Sequence, residues 1–79
     1  MEFGQDPEAM LAVAACESTL RPDALGRAGE RGLFQWMPMT WAWYAHRLGY
    51  TEADGWDVTA QARLAALAWK EGHRNWWTC

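Results

Sequence analysis

The stretch ESTLRPDALGRAGERGLFQWMPMT, residues 17–40, lies between two apolar segments and decides the fold of this chain. Pro22 disfavours helix at the residue before it, whereas Pro38 suits the first turn of a helix. Between the two prolines lie three glycines and several charged residues, a composition typical of an ordered loop. The stretch therefore predicts a helix that ends before Pro22, a long loop, and a second helix from Pro38. A loop of this length in so short a chain is usually functional.

Helix signals flank this loop on both sides. Asp6 can cap a first helix with Pro7 in its first turn, and this helix is predicted to run to about Leu20. The second helix is predicted over 38–48, with Gly49 as a left-handed cap.

A third helix is predicted to begin after Asp57, as its cap, and to end at Gly72. No run alternates with the period of two that marks a strand. The predicted fold class is therefore all-α: a small domain of about three main helices with an ordered Gly-rich loop. The 79 residues are read as one domain over 6–79, after an N-terminal extension or expression remnant at 1–5.

The charge pattern argues against nucleic acid as a partner. The net charge is -3, and with six Arg and one Lys the chain has no basic field for a phosphate backbone. The longest apolar stretch, 10–16, is far shorter than the roughly 20 residues that span a bilayer. Seven Trp are far more than ordinary usage, and such rings either build a core or stack on sugars and bases.

Two cysteines, Cys16 and Cys79, lie near opposite ends of the domain. An even count in a small chain suits a disulfide, and two buried free thiols are the alternative. A zinc site would need both cysteines with His46 and His73, but none of the four falls in a CxxC or HxxxH pair. No metal and no other cofactor is therefore predicted.

Glu17 continues an apolar stripe along the first helix. Met10, Val13 and Ala14 share one face at spacings of three and four, and the series continues to Glu17. A carboxyl group beside apolar neighbours is partly shielded from water, which favours the protonated form that a general acid needs. The alternative is a carboxylate at the rim of the stripe, solvated or paired with an Arg.

Residues 17–40 resemble the signature of the soluble lytic transglycosylases and goose-type lysozymes. That pattern runs E-S-x-x-x-P-x-A-x-S-x-x-G-A-x-G-L-M-Q-x-M-P-x-T, and the chain follows it without a gap. Matches at so many fixed offsets are a specific signal. The matching residues are Glu17, Ser18, Pro22, Ala24, Gly29, Gly32, Leu33, Gln35, Met37, Pro38 and Thr40.

The ends of the chain resemble the resuscitation-promoting factors, small members of the same lysozyme-like superfamily. These have Cys directly before the catalytic Glu, as Cys16 precedes Glu17 here. They also close with a Gly, a Trp and a final Cys, which are matched by Gly72, Trp76 and Cys79. This second resemblance implies a Cys16–Cys79 disulfide.

The resemblance implies an enzyme that cleaves peptidoglycan. Glu17 would protonate the oxygen of the β-1,4 bond between N-acetylmuramic acid and N-acetylglucosamine. In a transglycosylase the same group then helps the muramyl 6-hydroxyl close a 1,6-anhydro ring, and in a lysozyme it helps water attack. Inverting hydrolysis usually needs a second carboxylate, for which Asp23 and Glu30 are the candidates.

The residues predicted to bind the glycan are Ser18, Gln35, Trp36, Met37, Trp69 and Glu30. The amide of Gln35 both donates and accepts, as N-acetyl groups require, although it could instead tie down the loop. Ser18 could instead bond the backbone near the helix end. Trp36 and Trp69 are the candidates for stacking on sugars, but each could equally belong to the core.

Two further Trp, Trp41 and Trp76, are predicted core residues. Within the matched stretch the chain departs from the transglycosylase pattern, because Gly26 replaces Ser and Glu30 replaces Ala. Further along the chain, the third motif Ala-Tyr-Asn is matched only by Ala68-Trp69-Lys70. Glu30 is either a substrate-binding carboxylate or a solvated loop charge paired with a neighbouring Arg.

By the resemblance, the partners are peptidoglycan glycan strands, and the chain acts as a monomer in the cell envelope or outside the cell. The alternative is a catalytically weak lysozyme-like module that binds glycan within a larger phage or secreted protein. The altered third motif and the acidic net charge favour that alternative.

Overall fold

The computed structural model describes residues 3–77, and over that range the chain is all-helical. Its α-helices are α1 (Pro7–Ser18), α2 (Pro38–Ala45) and α3 (Val58–Lys70). Short 3₁₀ helices follow at His46–Leu48, Glu52–Trp56 and Arg74–Trp76. Between residues 3 and 77 there is no strand, and the Gly-rich loop forms two isolated antiparallel bridges, Leu25 with Arg31 and Arg31 with Trp36. The predicted all-α class is confirmed.

Helix α1 begins where the sequence predicts and ends earlier. The Asp6 side chain accepts a hydrogen bond of 3.1 Å from a backbone N–H of the first turn, and Pro7 occupies the first helical position. The sequence predicts an end near Leu20, but Thr19 and Leu20 have φ angles of 53° and 62°. This left-handed backbone stops the helix at Ser18, and Pro22 is not what ends it.

The caps of the other two helices are as predicted. Helix α2 continues as a 3₁₀ helix to Leu48, and Gly49 closes it with a φ of 80°. The Asp57 side chain accepts a 2.9 Å hydrogen bond at the start of α3. The connector 52–56, a turn-rich segment by composition, is a 3₁₀ helix that begins with a capping box on Thr51.

Aromatic rings form the centre of the core. The ring of Trp36 lies edge-on to those of Trp41 and Trp77, with centroids 5.6 and 5.5 Å away. The indole N–H of Trp41 donates to the Thr51 carbonyl at 3.0 Å, and that of Trp77 donates to the Phe34 carbonyl at 2.6 Å. Each edge-to-face pair adds about 0.5–1.5 kcal/mol to the burial of its rings. Trp41 is thus a core residue, as predicted, and the C-terminal segment packs back through Trp77.

The helices bury their small and aliphatic residues against these rings. From α1 come Met10, Val13 and Ala14, and from α3 come Ala60, Leu64, Ala65, Ala66, Leu67 and Ala68. The alanines of α3 have little bulk, which allows close approach to the bulky indoles. A core this small is therefore filled largely by tryptophan.

The ends of the described range bear on two predictions. Phe3, inside the segment read as an extension, packs against the core, and the Lys70 ammonium lies 5.8 Å from the centre of its ring. The predicted disulfide joins Cys16 to Cys79, which lies outside the described residues, so the bridge stays a prediction. Over residues 3–77 no helix has the length and apolar character needed to cross a membrane.

A buried tyrosine joins α2 to the end of α3. The Tyr44 hydroxyl donates to the Glu71 carboxylate, and the Arg47 guanidinium donates two further hydrogen bonds to that carboxylate. Burial and the bond to Glu71 raise the pKa of Tyr44 to about 12. The hydrogen bonds from Arg47 and Tyr44 lower the pKa of Glu71 to about 2. The three side chains therefore fix the C-terminal end of α3 against α2.

Glu71→Gln should make unfolding less sensitive to acid. A carboxylate with a depressed folded-state pKa stabilises the fold above its ordinary value of 4.5, and this contribution is lost as pH falls towards about 2. The melting temperature of the wild type is expected to fall across this window more steeply than that of the variant, as followed by circular dichroism. Glu52→Gln, a change at an exposed carboxylate, is the matched control, and its melting temperature should fall with pH as steeply as that of the wild type. Parallel slopes for wild type and Glu71→Gln would contradict the assignment.

Candidate functional site

Glu17 lines an open groove at the C-terminal end of α1. The groove has a volume of about 480 Å³ and lies between the end of α1 and the Gly-rich loop. Its lining residues are Glu17, Ser18, Thr19, Arg21, Asp23, Ala24, Leu25 and Gln35. The predicted acid, Glu17, and the predicted sugar-binding amide, Gln35, thus line one cavity.

The carboxyl group of Glu17 lies at the edge of the apolar stripe of α1. Glu17 is half-buried, and Ser18 rather than Glu17 continues the buried row of Met10, Val13 and Ala14. Among residues 3–77 the Glu17 side chain forms no ion pair or hydrogen bond, so of the rim alternative the unpaired carboxylate, and not the one paired with an Arg, matches the structure. Its oxygens are therefore open to a ligand in the groove.

Ser18 uses its hydroxyl inside the protein. The side chain is buried, and Oγ donates to the Ala14 carbonyl at 2.9 Å, which is the backbone role that the sequence offers as the alternative. This bond holds the last turn of α1 next to Glu17. A direct contact between Ser18 and the glycan stays a prediction.

Backbone strain concentrates at the groove. Within residues 3–77 the residues other than glycine with positive φ are Thr19, Leu20 and Gln35. Thr19 and Gln35 line the groove, and Leu20 directly follows Thr19. Each such residue costs of order 1 kcal/mol, and such strain clusters at functional sites, where the surrounding structure holds it. The strain therefore marks the groove independently of the chemistry of Glu17.

Gln35 is tied to the loop through one end of its amide. Its Nε2 donates to the Gly32 carbonyl at 2.9 Å and to the Ala24 carbonyl at 3.3 Å. Both amide hydrogens are thus used, and Oε1 remains an acceptor. Gln35 therefore ties down the loop, as the alternative proposes, and offers only its oxygen to a ligand.

Gln61 on α3 holds the Gly-rich loop in place, although Gln61 belongs to none of the sequence motifs. Its Oε1 accepts from Leu33 N–H at 2.8 Å, and its Nε2 donates to the carbonyls of Pro22 at 3.2 Å and Gly55 at 3.1 Å. Gly32 has a φ of 83°, and a Cβ there would lie 2.6 Å from the Gln61 amide. The one signal for this role is a lone amide among the apolar residues of α3.

Glu30 lies beside Gln35 and is not among the residues that line the groove. Its Oε1 accepts a 2.7 Å hydrogen bond from Ala28 N–H, so the carboxylate closes its own turn of the loop. An ion pair of Glu30 with a neighbouring Arg is the solvated-charge alternative, and it is absent from the described part of the chain.

Asp23 is the second carboxylate that lines the groove. Its side chain is 79% exposed and lies 4.0 Å from Arg21 Nε, at the limit of an ion pair. Exposed pairs of this kind contribute little, so Asp23 is only weakly held in place.

A smaller pocket of about 180 Å³ adjoins the groove through Gln35, which lines both cavities. The rest of its lining consists of Trp36, Met37, Thr40, Trp76 and Trp77. Met37, a predicted glycan-binding residue, is exposed at this pocket. A glycan strand in the groove would therefore have apolar surface beyond Gln35.

Two of the three Trp residues that line this pocket, Trp36 and Trp76, differ from their predicted roles. Trp36, a candidate for sugar stacking, is 3% exposed and packs in the core. Trp76, a predicted core residue, is 41% exposed and stacks on His73 with ring centroids 4.1 Å apart. Phe34 and Trp36 are buried whereas Met37 is exposed, and the turn between them carries the positive φ of Gln35.

Trp69 lies on α3 and lines neither the groove nor the pocket. The Arg74 guanidinium lies over its ring, 4.6 Å from the ring centre. Sugar stacking by Trp69 therefore gains no support from its position and stays a prediction.

Over residues 3–77 no three or more His, Cys, Asp and Glu side chains are arranged to hold a metal ion. The zinc set named from the sequence includes Cys79, which lies outside that range.

Comparison with known proteins gives a match at the level of the family. The family model described as Transglycosylase SLT domain matches residues 1–76, which include every residue of the groove and all of the smaller pocket except Trp77. No curated protein and no solved structure matches the chain.

Proposed function

The chain belongs to the transglycosylase SLT domain family, and from this premise we propose that it cleaves the β-1,4 bond between N-acetylmuramic acid and N-acetylglucosamine in peptidoglycan. At the level of the family, its function is that of a peptidoglycan lytic transglycosylase. The observation that carries the finer proposal is the position of Glu17, a half-buried carboxyl group in the groove with no ion pair among the described residues.

Glu17 acts as acid and then as base in this proposal. It gives its proton to the glycosidic oxygen while the bond from that oxygen to C1 of the muramyl sugar breaks. The resulting carboxylate takes the proton of the muramyl 6-hydroxyl while O6 bonds to C1 and closes the 1,6-anhydro ring. Glu17 ends protonated, and no water is consumed. General acid and base catalysis of this kind contributes about 10²–10⁴-fold.

Gln35 binds the glycan through Oε1 in this proposal. Because Nε2 is held by two loop carbonyls, the oxygen accepts from a sugar hydroxyl or from the N–H of an N-acetyl group. The smaller pocket beyond Gln35, with Met37 at its edge, would receive the next part of the strand. Ser18, Trp69 and Glu30 complete the proposed binding set, and Trp36 is left out of it as a stacking residue because it is buried in the core.

Hydrolysis is the second candidate, since Asp23 offers a second carboxylate in the same groove. An inverting hydrolase needs that carboxylate to hold and activate a water molecule. The exposure of Asp23 and its weak contact with Arg21 make it a poor holder of water. We therefore favour the transglycosylase outcome.

Peptidoglycan as substrate puts the proposed activity in the cell envelope or outside the cell. Glu17 and Gln35 come from one chain and line one groove, so a monomer is sufficient for the reaction. A glycan-binding module without activity is the remaining alternative, which the altered third motif around Trp69 favours.

Product analysis tests the reaction directly. Purified peptidoglycan is incubated with the protein, and the released muropeptides are examined by mass spectrometry. Fragments one water lighter than reducing ends are the expected products, because the anhydro ring forms without water. If all the released fragments carry reducing ends, the protein is a hydrolase and not a transglycosylase. If no fragments are released while the protein still pellets with the wall, the binding-module alternative is correct.

A further inference from the structure

Two oxygen acceptors lie side by side against Gly26. A Cβ on this glycine would be 2.7 Å from Gln35 Oε1, and 2.7 Å from both Cδ and Oε1 of Glu30. The backbone of Gly26 does not itself require glycine, because its φ is not positive, unlike those of Gly29 and Gly32. A side chain at position 26 would therefore displace the ends of the Glu30 and Gln35 side chains.

Each of the two oxygens is held from another side. Gln35 Oε1 is oriented because Nε2 of the same amide donates to Gly32 and Ala24. Glu30 Oε1 is held by the 2.7 Å bond from Ala28 N–H. Two acceptors that face the same point repel each other, and a hydrogen-bond donor between them would satisfy both.

The two departures from the transglycosylase pattern in this region compensate each other. The pattern has Ser at position 26 and Ala at position 30, whereas this chain has Gly and Glu. The Glu30 carboxylate occupies the space that a serine side chain on residue 26 would fill. The exchange puts a charged acceptor beside Gln35 in place of a hydroxyl.

We propose that Gln35 Oε1 and the Glu30 carboxylate form an acceptor pair that binds a hydrogen-bond donor of the glycan, either a sugar hydroxyl or an acetamido N–H. The inference rests on the proposed function, because its ligand is the glycan of that site. Glu30 is a specificity-determining residue in this scheme and takes no part in proton transfer. Gln35 lines the groove and Glu30 adjoins Gln35, so the pair extends the binding surface past Glu17.

The N-acetylglucosamine tetramer is the probe for this pair. Its affinity is measured by nuclear magnetic resonance titration in the Glu17→Gln background, in which cleavage does not interfere. Glu30→Ala should weaken binding roughly tenfold, as expected for the loss of a hydrogen bond to a charged group. Glu52→Ala, which removes an exposed carboxylate outside the groove, should leave the affinity unchanged.

Unchanged affinity in Glu30→Ala, or no binding of the tetramer by the Glu17→Gln parent, would overturn the acceptor pair. Either result is distinct from failure of the proposed function, which the wild type reports separately by releasing no muropeptides. If the wild type releases muropeptides while Glu30→Ala binds normally, only the acceptor pair of Gln35 and Glu30 is ruled out, and the proposed cleavage reaction stands.

A double-variant cycle tests the compensation between the two positions. Gly26→Ser alone should lower the melting temperature slightly, because the ends of the Glu30 and Gln35 side chains must move away from its Cβ. Adding Glu30→Ala should restore stability close to that of Glu30→Ala alone, which makes the pair non-additive. Additive losses would show that the two positions do not share one space.

Discussion

Glu17→Gln is expected to lower the release of muropeptides by about 10²–10⁴-fold, the usual contribution of a general acid and base. The amide keeps the size of the side chain but neither gives nor takes the required proton. Glu17 forms no ion pair among the described residues, so the fold loses no contact of that kind. The melting temperature and the pelleting with purified wall should therefore stay at wild-type values while the products disappear.

Glu8→Gln is the matched control for this experiment. Glu8 is an exposed carboxylate in the first turn of the same helix, outside the groove. The control makes the same change of charge and should leave product release unchanged. Near-normal release of muropeptides by Glu17→Gln would mean that another residue is the general acid, and it would contradict the proposed mechanism.

The helices were predictable because local chemistry sets their ends. Asp6 and Asp57 each accept a backbone hydrogen bond at a helix start, and Gly49 is left-handed after the 3₁₀ extension of α2. These signals act over a few residues and need no partner from elsewhere in the chain. The end of α1 was mispredicted because Thr19 and Leu20 are not residues that normally adopt left-handed backbone.

The candidate site was predictable only in part. Glu17 and Gln35 could be found from the motif, and the structure puts both in one groove. The burial of Trp36 and the exposure of Trp76 could not, because they depend on how the turn before Trp36 and the 3₁₀ helix at Arg74–Trp76 pack against the rest of the chain. The composition gives the number of Trp rings but does not show which of them are buried.

The relation between Gly26 and Glu30 was likewise hidden in the sequence. In the sequence alone, Gly26 is a position at which the serine of the pattern is missing, and Glu30 is an additional charge in the loop. Only the packing shows that the carboxylate occupies the space next to the glycine. Two departures that each weaken a motif match are therefore explained together by one steric arrangement.

Gln61→Leu is expected to lower stability more than any other single substitution proposed for this protein. Gln61 is fully buried and makes three hydrogen bonds to the backbone, at Leu33, Pro22 and Gly55. Leucine has a similar volume but leaves these groups without their partner, at about 1 kcal/mol or more for each. The free energy of unfolding should fall by roughly 3 kcal/mol, and the melting temperature by about 12 °C or more.

In Gln61→Leu the release of muropeptides should also fall, even at temperatures below the melting transition, because Gln61 fixes the loop that carries Gln35. Thr59→Leu, an exposed change on the same helix, is the control and should melt like the wild type. Gln61→Glu separates the contacts further: it keeps the acceptor for Leu33 N–H but puts a carboxylate oxygen against the Pro22 and Gly55 carbonyls. It should therefore also be destabilised at neutral pH, and a Gln61→Glu variant as stable as the wild type would mean that the two carbonyl contacts do not hold the loop.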